Sequence, residues 1–435
     1  SGLGRSATIW AALFTALSPA MVFYSRYYIQ ETLLVFFTFA ALASAWRYLQ
    51  QPRLHWALLA GASLGMMHAS KETSVLAYGA MAVALALARF WRREEKPAPL
   101  FGHVPVWWHL IGAATSALVV SVLFFSSFLT HPMGPIDSVR AYFTYLDRAA
   151  FGLSSVHGIH LHRHPWHFFL KLLLYTKRMA GPWWSEGLIV GLACLGAGAA
   201  LRRGPAGEGS PGFLRFIALY TMTLTVIYSL IPYKTPWCLL GFFHGMILMA
   251  GYGATSLVQV ARHPAAKGIM YVLLLAATGQ LAMQSWRANF VYDADPRNPY
   301  VYAHTSPALV GLAQRIEDLA QLHPLAYGMP VYIIEPQGDY WPLPWYLRRL
   351  QRVGYWSEVP EPPDAPVIIV SPDIQERLQT RLSHEYHVEY SALRPGVLRL
   401  VYIREDVWQS FLKKGSHGGT VGSIEKVLQG GGAPG

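Results

Sequence analysis

Charged residues are scarce in this chain. Its 435 residues are 14% charged and 53% hydrophobic, whereas soluble domains carry about 25% charged residues. This deficit argues against an ordinary soluble protein and predicts a polytopic α-helical membrane protein. The formal charge of +11 then reflects the side of the membrane on which the loops lie, and we expect no nucleic-acid partner.

Cysteine is almost absent as well. The two cysteines, Cys194 and Cys238, both lie in apolar segments, which argues against a disulfide framework and favours buried thiols. A secretory signal peptide is also lacking. The chain begins "SGLGRS" rather than with Met, so we expect a fragment or a processed product with residues missing upstream.

Long apolar runs are plentiful in the first two thirds of the chain. They predict about nine membrane spans, although some are short for a hydrocarbon core of ~30 Å. The third and fourth runs could instead form one hairpin that crosses only in part. The runs cover residues 7–23, 32–49, 55–70, 74–89, 108–129, 184–201, 213–231, 237–258 and 268–285.

The loops between these runs sort by charge. Under the positive-inside rule, the cation-rich loops are cytoplasmic and the others face outward. The cation-rich loops hold Arg5; Arg47 and Arg53; Arg89, Arg92, Arg93 and Lys96; Arg202, Arg203 and Arg215; Arg262 and Lys267. The predicted outward segments are 24–31, 68–73, 130–183, 232–236 and everything after 286.

These patterns predict a multi-pass domain over 1–286 in the cytoplasmic membrane, with an amphipathic helix in the outer loop 130–183. From 287 to 415, the runs "MPVYIIE", "APVIIVS" and "GVLRLVYI" predict buried strands,. The stretches "SPALVGLAQRIEDLAQL" and "DIQERLQTRL", the second opened by Asp373, predict helices,. We therefore expect a C-terminal extracytoplasmic α/β domain, followed by a flexible Gly-rich tail over 416–435.

Three short outward loops each carry a cation at the end of an apolar run: Arg26, Lys71 and Lys234. Glu31 and Glu72 lie close to two of them. Converging cations at headgroup depth suit a phosphate or pyrophosphate, with the acids as bases or as groups that orient the cations. The alternatives are snorkelling for Arg26, a solvated hairpin tip for Lys71–Glu72 and an aromatic-belt anchor for Lys234.

Aromatic and histidine residues accompany the predicted outer face. Tyr233 and Trp237 flank Lys234, His164 and Trp166 open the predicted amphipathic helix, and Trp183 and Trp184 form either an aromatic belt or a sugar platform. We expect no cofactor. A divalent metal is the alternative left open by a histidine cluster that no nearby acid completes. The cluster comprises His157, His160, His162, His164 and His167.

One further stretch, "EPQGDYWPLPWYLRR", is both aromatic and charged. It belongs to the predicted outer domain. Either it lines a cleft or it is the packed start of a helix.

The stretch "LSPAMVFYSRYYIQETLLVFFTFAALASAWRYL" resembles the third and fourth membrane segments of GT-C glycosyltransferases. Within that superfamily it is most similar to the dolichyl-phosphate-mannose–protein mannosyltransferase-like branch. The segments "ASKETSV", "HPWHFFLKLL" and "IPYKTPWCLL" further resemble the flippase-activity-associated proteins of bacteria and archaea. The resemblance covers about residues 5–285.

This resemblance implies a membrane glycosyltransferase that moves a sugar from a polyprenyl or dolichyl phosphate to a protein, lipid or glycan hydroxyl. It implies that Arg26 and Glu31 lie at the rim of the active site and that Lys71 and Lys234 face the donor phosphate. Such proteins have two earlier segments whose outer loop carries an acidic pair, and nothing here matches that loop. We therefore expect a truncated enzyme, in which Glu31 and Glu72 assist, with Asp137 and Asp147 as more distant acids.

Three other functions stay open. The first is a non-catalytic scaffold or flippase accessory subunit that binds lipid-linked sugars among membrane lipids. The second is a transporter, although the apolar runs hold almost no ionisable residues at mid-membrane. The third is a structural subunit of a larger assembly.

Overall fold

The computed structural model describes residues 2–91, 107–151, 155–156, 159–160, 162–202 and 209–417. The chain divides into two compact units. The first comprises Ser1–Asp293 with Arg297–Tyr300, and the second comprises Ala294–Pro296 with Val301–Gly435. The predicted tail, 416–435, lies outside the described residues from 418 onward.

The first unit is mainly helical. Its helices are α1 Arg5–Leu17, α2 Pro19–Arg26, α3 Gln30–Gln50, α4 Leu54–Ser70, α5 Ser74–Trp91, α6 Trp107–Phe125, α7 Gly134–Phe151, α8 Phe168–Leu174, α9 Gly187–Leu201, α10 Pro211–Leu230, α11 Leu240–Val260 and α12 Pro264–Trp286. Two short hairpins pair β1 Ser155–Val156 with β2 Ile159–His160, and β3 Thr176–Lys177 with β4 Trp183–Trp184.

Every predicted apolar run is helical, but fewer than nine helices are long enough to span alone. Within the described residues, five helices have the length and composition of a span, and the bent pair α1–α2 makes a sixth. Helix α4 has 17 residues, and α5 and α9 are also short, against the ~20 residues that a straight crossing needs. The first unit has the fold of a multi-pass membrane protein, as predicted.

A break at Ser18–Pro19 separates α1 from α2, whose axes differ by 55°. Proline cannot continue the preceding helix but suits the first position of the next one. The Ser18 hydroxyl accepts a hydrogen bond from the Met21 amide at 3.2 Å, and the Glu186 carboxylate accepts one from the Ala20 amide at 2.7 Å. These two amides, which have no partner within the helix, are thereby hydrogen-bonded.

Glycines allow close approach of the central helices. A Cβ atom on Gly61 in α4 would collide with the Ala113 carbonyl oxygen of α6, and one on Gly253 in α11 would collide with the Leu192 carbonyl oxygen of α9. Close packing through small residues is how helices associate where no hydrophobic effect drives them together.

The second unit is an α/β domain, which confirms the predicted fold class. Its sheet has the order β6-β5-β7-β9-β8, with β5, β6 and β7 parallel and β9 antiparallel to both neighbours. Its strands are β5 Val331–Ile334, β6 Val353–Trp356, β7 Val367–Val370, β8 Tyr386–Arg394 and β9 Val397–Arg404, and its helices are α13 Pro307–Leu322, α14 Leu343–Tyr346, α15 Gln375–Gln379 and α16 Glu405–His417.

Apolar side chains cover both faces of this sheet. One core includes residues from α13, α14 and α16, and the other includes Ile374 and Leu378 around α15. The three predicted strands correspond to β5, β7 and β9. The helix predicted from Asp373 is only a 3₁₀ turn, Pro372–Ile374, followed by the five residues of α15. The edge strands β6 and β8 were not predicted, because many of their residues are exposed and neither strand contains a continuous apolar run.

The outer-loop helix is shorter than the predicted amphipathic segment from 166 to 180. Helix α8 ends at Leu174, and the chain turns into the hairpin β3–β4. Phe169, Leu172 and Leu173 are buried against the membrane unit. The apolar side of this segment therefore packs against other parts of the protein and is not available to insert among lipid headgroups.

We expect Gly253→Ala to destabilise the first unit by about 1–3 kcal/mol, because the added methyl group forces α9 and α11 apart. The matched control is Gly279→Ala in α12, where an added Cβ meets nothing within 4 Å. Thermal unfolding of the detergent-purified protein measures both. If the two variants unfold at the same temperature, the close approach of α9 and α11 is not as described.

Candidate functional site

An ion pair joins the start of α3 to the end of α4. Glu31 lies in the first turn of α3, and Lys71 directly follows α4. Because the two helices are antiparallel neighbours, residues 40 positions apart come together, and the Lys71 ammonium donates a hydrogen bond to the Glu31 carboxylate. The helix start favours the carboxylate, since its free amides carry partial positive charge.

This pair is largely withdrawn from solvent. The side chains of Lys71 and Glu31 are 16% and 7% exposed. Burial would lower the pKa of the Lys71 ammonium, but the charge and hydrogen bond of Glu31 outweigh it, so that pKa is raised above its ordinary value. Lys71 therefore remains a fixed positive charge at neutral pH.

Two carboxylate oxygens at this site have no hydrogen-bond partner among the described residues. They are Oε2 of Glu31 and Oε1 of Glu72, and both are buried. A buried acceptor without a donor costs about 1–3 kcal/mol. These two oxygens are therefore free to accept hydrogen bonds from a ligand or from water.

Aromatic rings lie in the region of the pair, since Tyr24 is within electrostatic range of Glu31. The Trp237 ring lies 6.3 Å from the rings of both Tyr24 and Tyr27. Cys238, the next residue, is within electrostatic range of Lys71 and Glu31. The segment "IPYKTPW" therefore reaches the same region as "SRYYIQE" and "SKETS".

Arg178 was not predicted as a site residue. It follows β3, is half-buried, and lies within electrostatic range of Tyr24 and His164. Within the part of the chain that the structure describes, no hydrogen bond or ion pair engages its guanidinium. The only sequence feature that indicates this residue is the pair of adjacent cations Lys177–Arg178 in the outer loop. Nothing in that pair shows which of the two side chains is the more buried.

Arg26 is the last residue of α2, but its side chain binds to a different part of the fold. Its guanidinium donates a hydrogen bond to the Asn289 carbonyl at 2.5 Å and lies 4.6 Å from the Phe290 ring centroid. Asn289 and Phe290 belong to the π-helical turn Arg287–Val291 that follows α12. Arg26 thus ties α2 to this turn and does not contact the Glu31–Lys71 pair directly.

Lys234 is buried between backbone carbonyls. Its ammonium donates to the Ile231 carbonyl at the end of α10 and to the His164 carbonyl at 3.3 Å. Burial lowers the pKa of this ammonium. Backbone hydrogen bonds join residues 162–164 to residues 232–234, and the His162 ring lies 4.9 Å from that of Tyr233.

The remaining predicted residues differ in exposure. The His164 ring stacks on Phe168 at 4.1 Å, and burial together with the nearby charges of His162, Lys234 and Arg178 lowers its pKa. Trp184 is buried and donates from Nε1 to the Arg297 carbonyl at 3.0 Å, whereas Trp166 and Trp183 are exposed. The structure brings none of these three tryptophans into contact with the ion pair.

The remaining predicted site residues are the other acids and the histidine cluster. Asp137 forms an exposed ion pair with Arg140, and the side chain of Asp147 lies outside the described part. His157 is likewise outside it, as is the side chain of His160. Among the described residues, no three His, Cys, Asp or Glu side chains are arranged to hold a metal ion.

An apolar cavity of about 820 Å³ opens between α4, α5, α6 and α7. Its walls are mostly aliphatic, and its polar members include His68, Tyr78, Ser121 and Tyr142. His68 lies one turn before Lys71, and Tyr142 is within electrostatic range of Glu72. The cavity is within the size range of small-molecule pockets and has its polar groups near the α4–α5 turn.

Comparison with known proteins finds one family model and solved structures to which this chain is similar. The family model described as dolichyl-phosphate-mannose-protein mannosyltransferase matches residues 1–132. Two crystal structures of ArnT from Cupriavidus metallidurans share the fold: the apo state at 16% identity, with a TM-score of 0.54, and the form bound to undecaprenyl phosphate at 15% identity, with a TM-score of 0.55. Each alignment covers 91% of this chain, and they cover 80% and 78% of the two ArnT chains. No curated protein sequence matches.

The predicted resemblance to GT-C membrane glycosyltransferases is confirmed by these matches. The family model covers the α1–α6 region, which holds the Glu31–Lys71 pair, and the structural likeness extends over both units.

We expect Lys71→Met to cost about 3–5 kcal/mol of stability, because it leaves the Glu31 carboxylate buried without its counter-ion. The double variant Lys71→Met/Glu31→Gln should recover most of that loss, since it removes the unpaired charge. The stability of the two variants is compared by unfolding them in detergent while intrinsic fluorescence is monitored. Single and double variants of equal stability would contradict a buried pair.

Proposed function

We propose that the protein transfers a sugar from a polyprenyl or dolichyl phosphate to a hydroxyl group of a protein, lipid or glycan on the extracytoplasmic side of the cell membrane. The observation that carries this proposal is the buried Lys71–Glu31 pair, in which Lys71 follows by three residues His68, a residue that lines the apolar cavity. A lipid-phosphate donor needs both features, side by side at headgroup depth.

The cavity suits the isoprenoid chain of such a donor. Its aliphatic walls on α4 to α6 would take apolar chain out of water, which is worth about 25 cal/mol for each Å² buried. The crystal structure of the similar ArnT holds undecaprenyl phosphate, which supports the same class of ligand here. Lys71 and the unengaged guanidinium of Arg178 would then bind the phosphate.

The reaction needs charge stabilisation and one proton acceptor. The acceptor oxygen attacks the anomeric carbon, its new glycosidic bond forms as the bond from that carbon to the phosphate oxygen breaks, and the lipid phosphate leaves with the electron pair. Lys71 and Arg178 stabilise the charge that develops on the phosphate. Glu31 is committed to Lys71, so the buried free oxygen of Glu72 would take the hydroxyl proton.

The orientation rests on the loop charges. Arg47 and Arg53 lie at the α3–α4 connection, and Arg262 and Lys267 lie at the α11–α12 connection, which assigns both connections to the cytoplasmic side. The Glu31–Lys71 pair is at the other end of α3 and therefore on the extracytoplasmic side.

A non-catalytic scaffold or flippase accessory is the second candidate. It is favoured because Glu31 forms an ion pair with Lys71, so that one fewer carboxylate is available as a general base for transfer. Such a protein would bind the same lipid and leave the sugar bond intact.

We expect Arg178→Ala to weaken binding of undecaprenyl phosphate at least about tenfold, the effect of losing one charge-assisted hydrogen bond. Native mass spectrometry of the protein in nanodiscs, titrated with undecaprenyl phosphate, measures the affinity. Lys177→Ala is the matched control, since Lys177 is the adjacent and exposed cation, and it should bind as the parent does. Equal affinities in the two variants would remove Arg178 from the phosphate site.

Transfer itself is tested with radiolabelled sugars on polyprenyl phosphate. Glu72→Gln should lower kcat by about 10²–10⁴-fold, the usual contribution of a general base, with Asp137→Asn as the exposed control. The measurement is release of the lipid phosphate with and without a hydroxyl acceptor. Lipid binding without any release would favour the scaffold over the transferase.

A further inference from the structure

The carboxyl ends of the parallel strands in the α/β domain form a distinct edge. Strand β5 has β6 on one side and β7 on the other, and both run parallel to it. The connections after β5 and β6 therefore diverge at this edge. In open α/β sheets, such a switch point leaves a crevice at the carboxyl ends, where ligands bind.

Four charged side chains line this edge in alternating order. Glu335 directly follows β5, and its carboxylate lies 2.6 Å from the guanidinium of Arg399 on β9. Arg399 also donates to the Asp339 backbone carbonyl at 2.6 Å. Asp339 in turn forms an ion pair with Arg394, at the end of β8.

This network runs from the interior to the surface. Glu335 and Arg399 are buried, while the Asp339 side chain is 42% exposed. Oxygen Oδ2 of Asp339 lies 3.7 Å from Arg399, and the buried Nε of Arg399 has no hydrogen-bond partner in the described chain. The network therefore retains an unused donor on the buried Arg399, while its outer member, Asp339, is open to solvent.

The network is also neutral as a whole, with two carboxylates against two guanidinium groups. An anion or a cation bound there would meet a like charge as closely as an opposite one. A ligand with neutral hydroxyl groups avoids this cost, because each hydroxyl both donates to a carboxylate and accepts from a guanidinium.

Exposed indole rings accompany the network. Trp341 and Trp345 are 61% and 60% exposed, and the Trp341 backbone carbonyl accepts a hydrogen bond from Arg394 at 2.6 Å. Between them, Leu343 belongs to the domain core. Leu343 thus anchors the stretch "DYWPLPW", which exposes Trp341 next to Arg394 and exposes Trp345 under the Arg348 guanidinium, 4.4 Å from its ring centroid.

We propose that this edge of the α/β domain binds a neutral oligosaccharide. The C–H face of a sugar ring is apolar and carries partial positive charge, so it stacks on the negative face of an indole ring. The ring hydroxyls meanwhile reach the carboxylate and guanidinium groups of Asp339 and Arg394. This site lies within the α/β domain and does not depend on the chemistry at Glu31 and Lys71.

Binding is measured on the full chain in nanodiscs by saturation-transfer NMR and calorimetry. The probes are the neutral trisaccharides mannotriose, maltotriose and chitotriose, with a sulfated trisaccharide for comparison. We expect at least one neutral probe to bind, and Trp341→Ala and Asp339→Asn to weaken that binding tenfold or more. Tyr390→Ala, which removes an exposed aromatic side chain from β8 four residues before Arg394, should leave the affinity unchanged.

Three results would overturn the proposal: no binding of any neutral trisaccharide, preferential binding of the sulfated probe, or unchanged affinity in both the Trp341 and Asp339 variants. An equal loss in Tyr390→Ala would mean non-specific adsorption and would also reject it. Parent-like unfolding temperatures in the variants confirm that they fold. The trisaccharide experiment contains no lipid donor, so a negative result in it does not bear on the transferase proposal. A negative result in the transfer assay likewise does not bear on the oligosaccharide site.

Discussion

The Glu31–Lys71 ion pair is the more buried of the two ion pairs that the structure describes in the membrane unit, which is the first of the two compact units. Two opposite charges that are nearly buried persist only if each holds the other, because removing either leaves an ion in an apolar surrounding. Helices α3 and α4 must therefore keep their antiparallel register. Their junction becomes a fixed, charged point, and His68, three residues before Lys71, lines the apolar cavity.

Cations that look alike in the sequence have different roles in the fold. Lys71 is held by a carboxylate, Lys234 by backbone carbonyls, and Arg26 by Asn289 and the Phe290 ring. Lys234 stabilises the turn after α10, where carbonyls carry partial negative charge. The charge available to a ligand thus depends on each cation's partners, which leaves Arg178 less engaged than its neighbours.

Two kinds of recognition surface emerge from one physical rule. In the membrane unit, polar groups gather where helices end, since only there are charges close to headgroups. In the α/β domain, they gather where parallel strands end, since strand order opens a crevice there. Both surfaces combine a fixed charge network with aromatic rings, at Trp237 and at Trp341. The ligand that we propose for the first is a phosphate, and for the second it is a set of sugar hydroxyl groups.

Much of the fold was predictable because it follows from composition and periodicity. The apolar runs determined the helices, and the β-branched runs determined β5, β7 and β9 through burial. The regions that contain Glu31 and Lys71 could also be recognised, since charges beside apolar runs are rare. The partners could not be predicted, because they come from segments far apart in the chain. The packing of α3 on α4 decided the Glu31–Lys71 pair, and the sheet order decided the approach of Glu335 to Arg399, since both contacts depend on three-dimensional neighbours rather than on spacing.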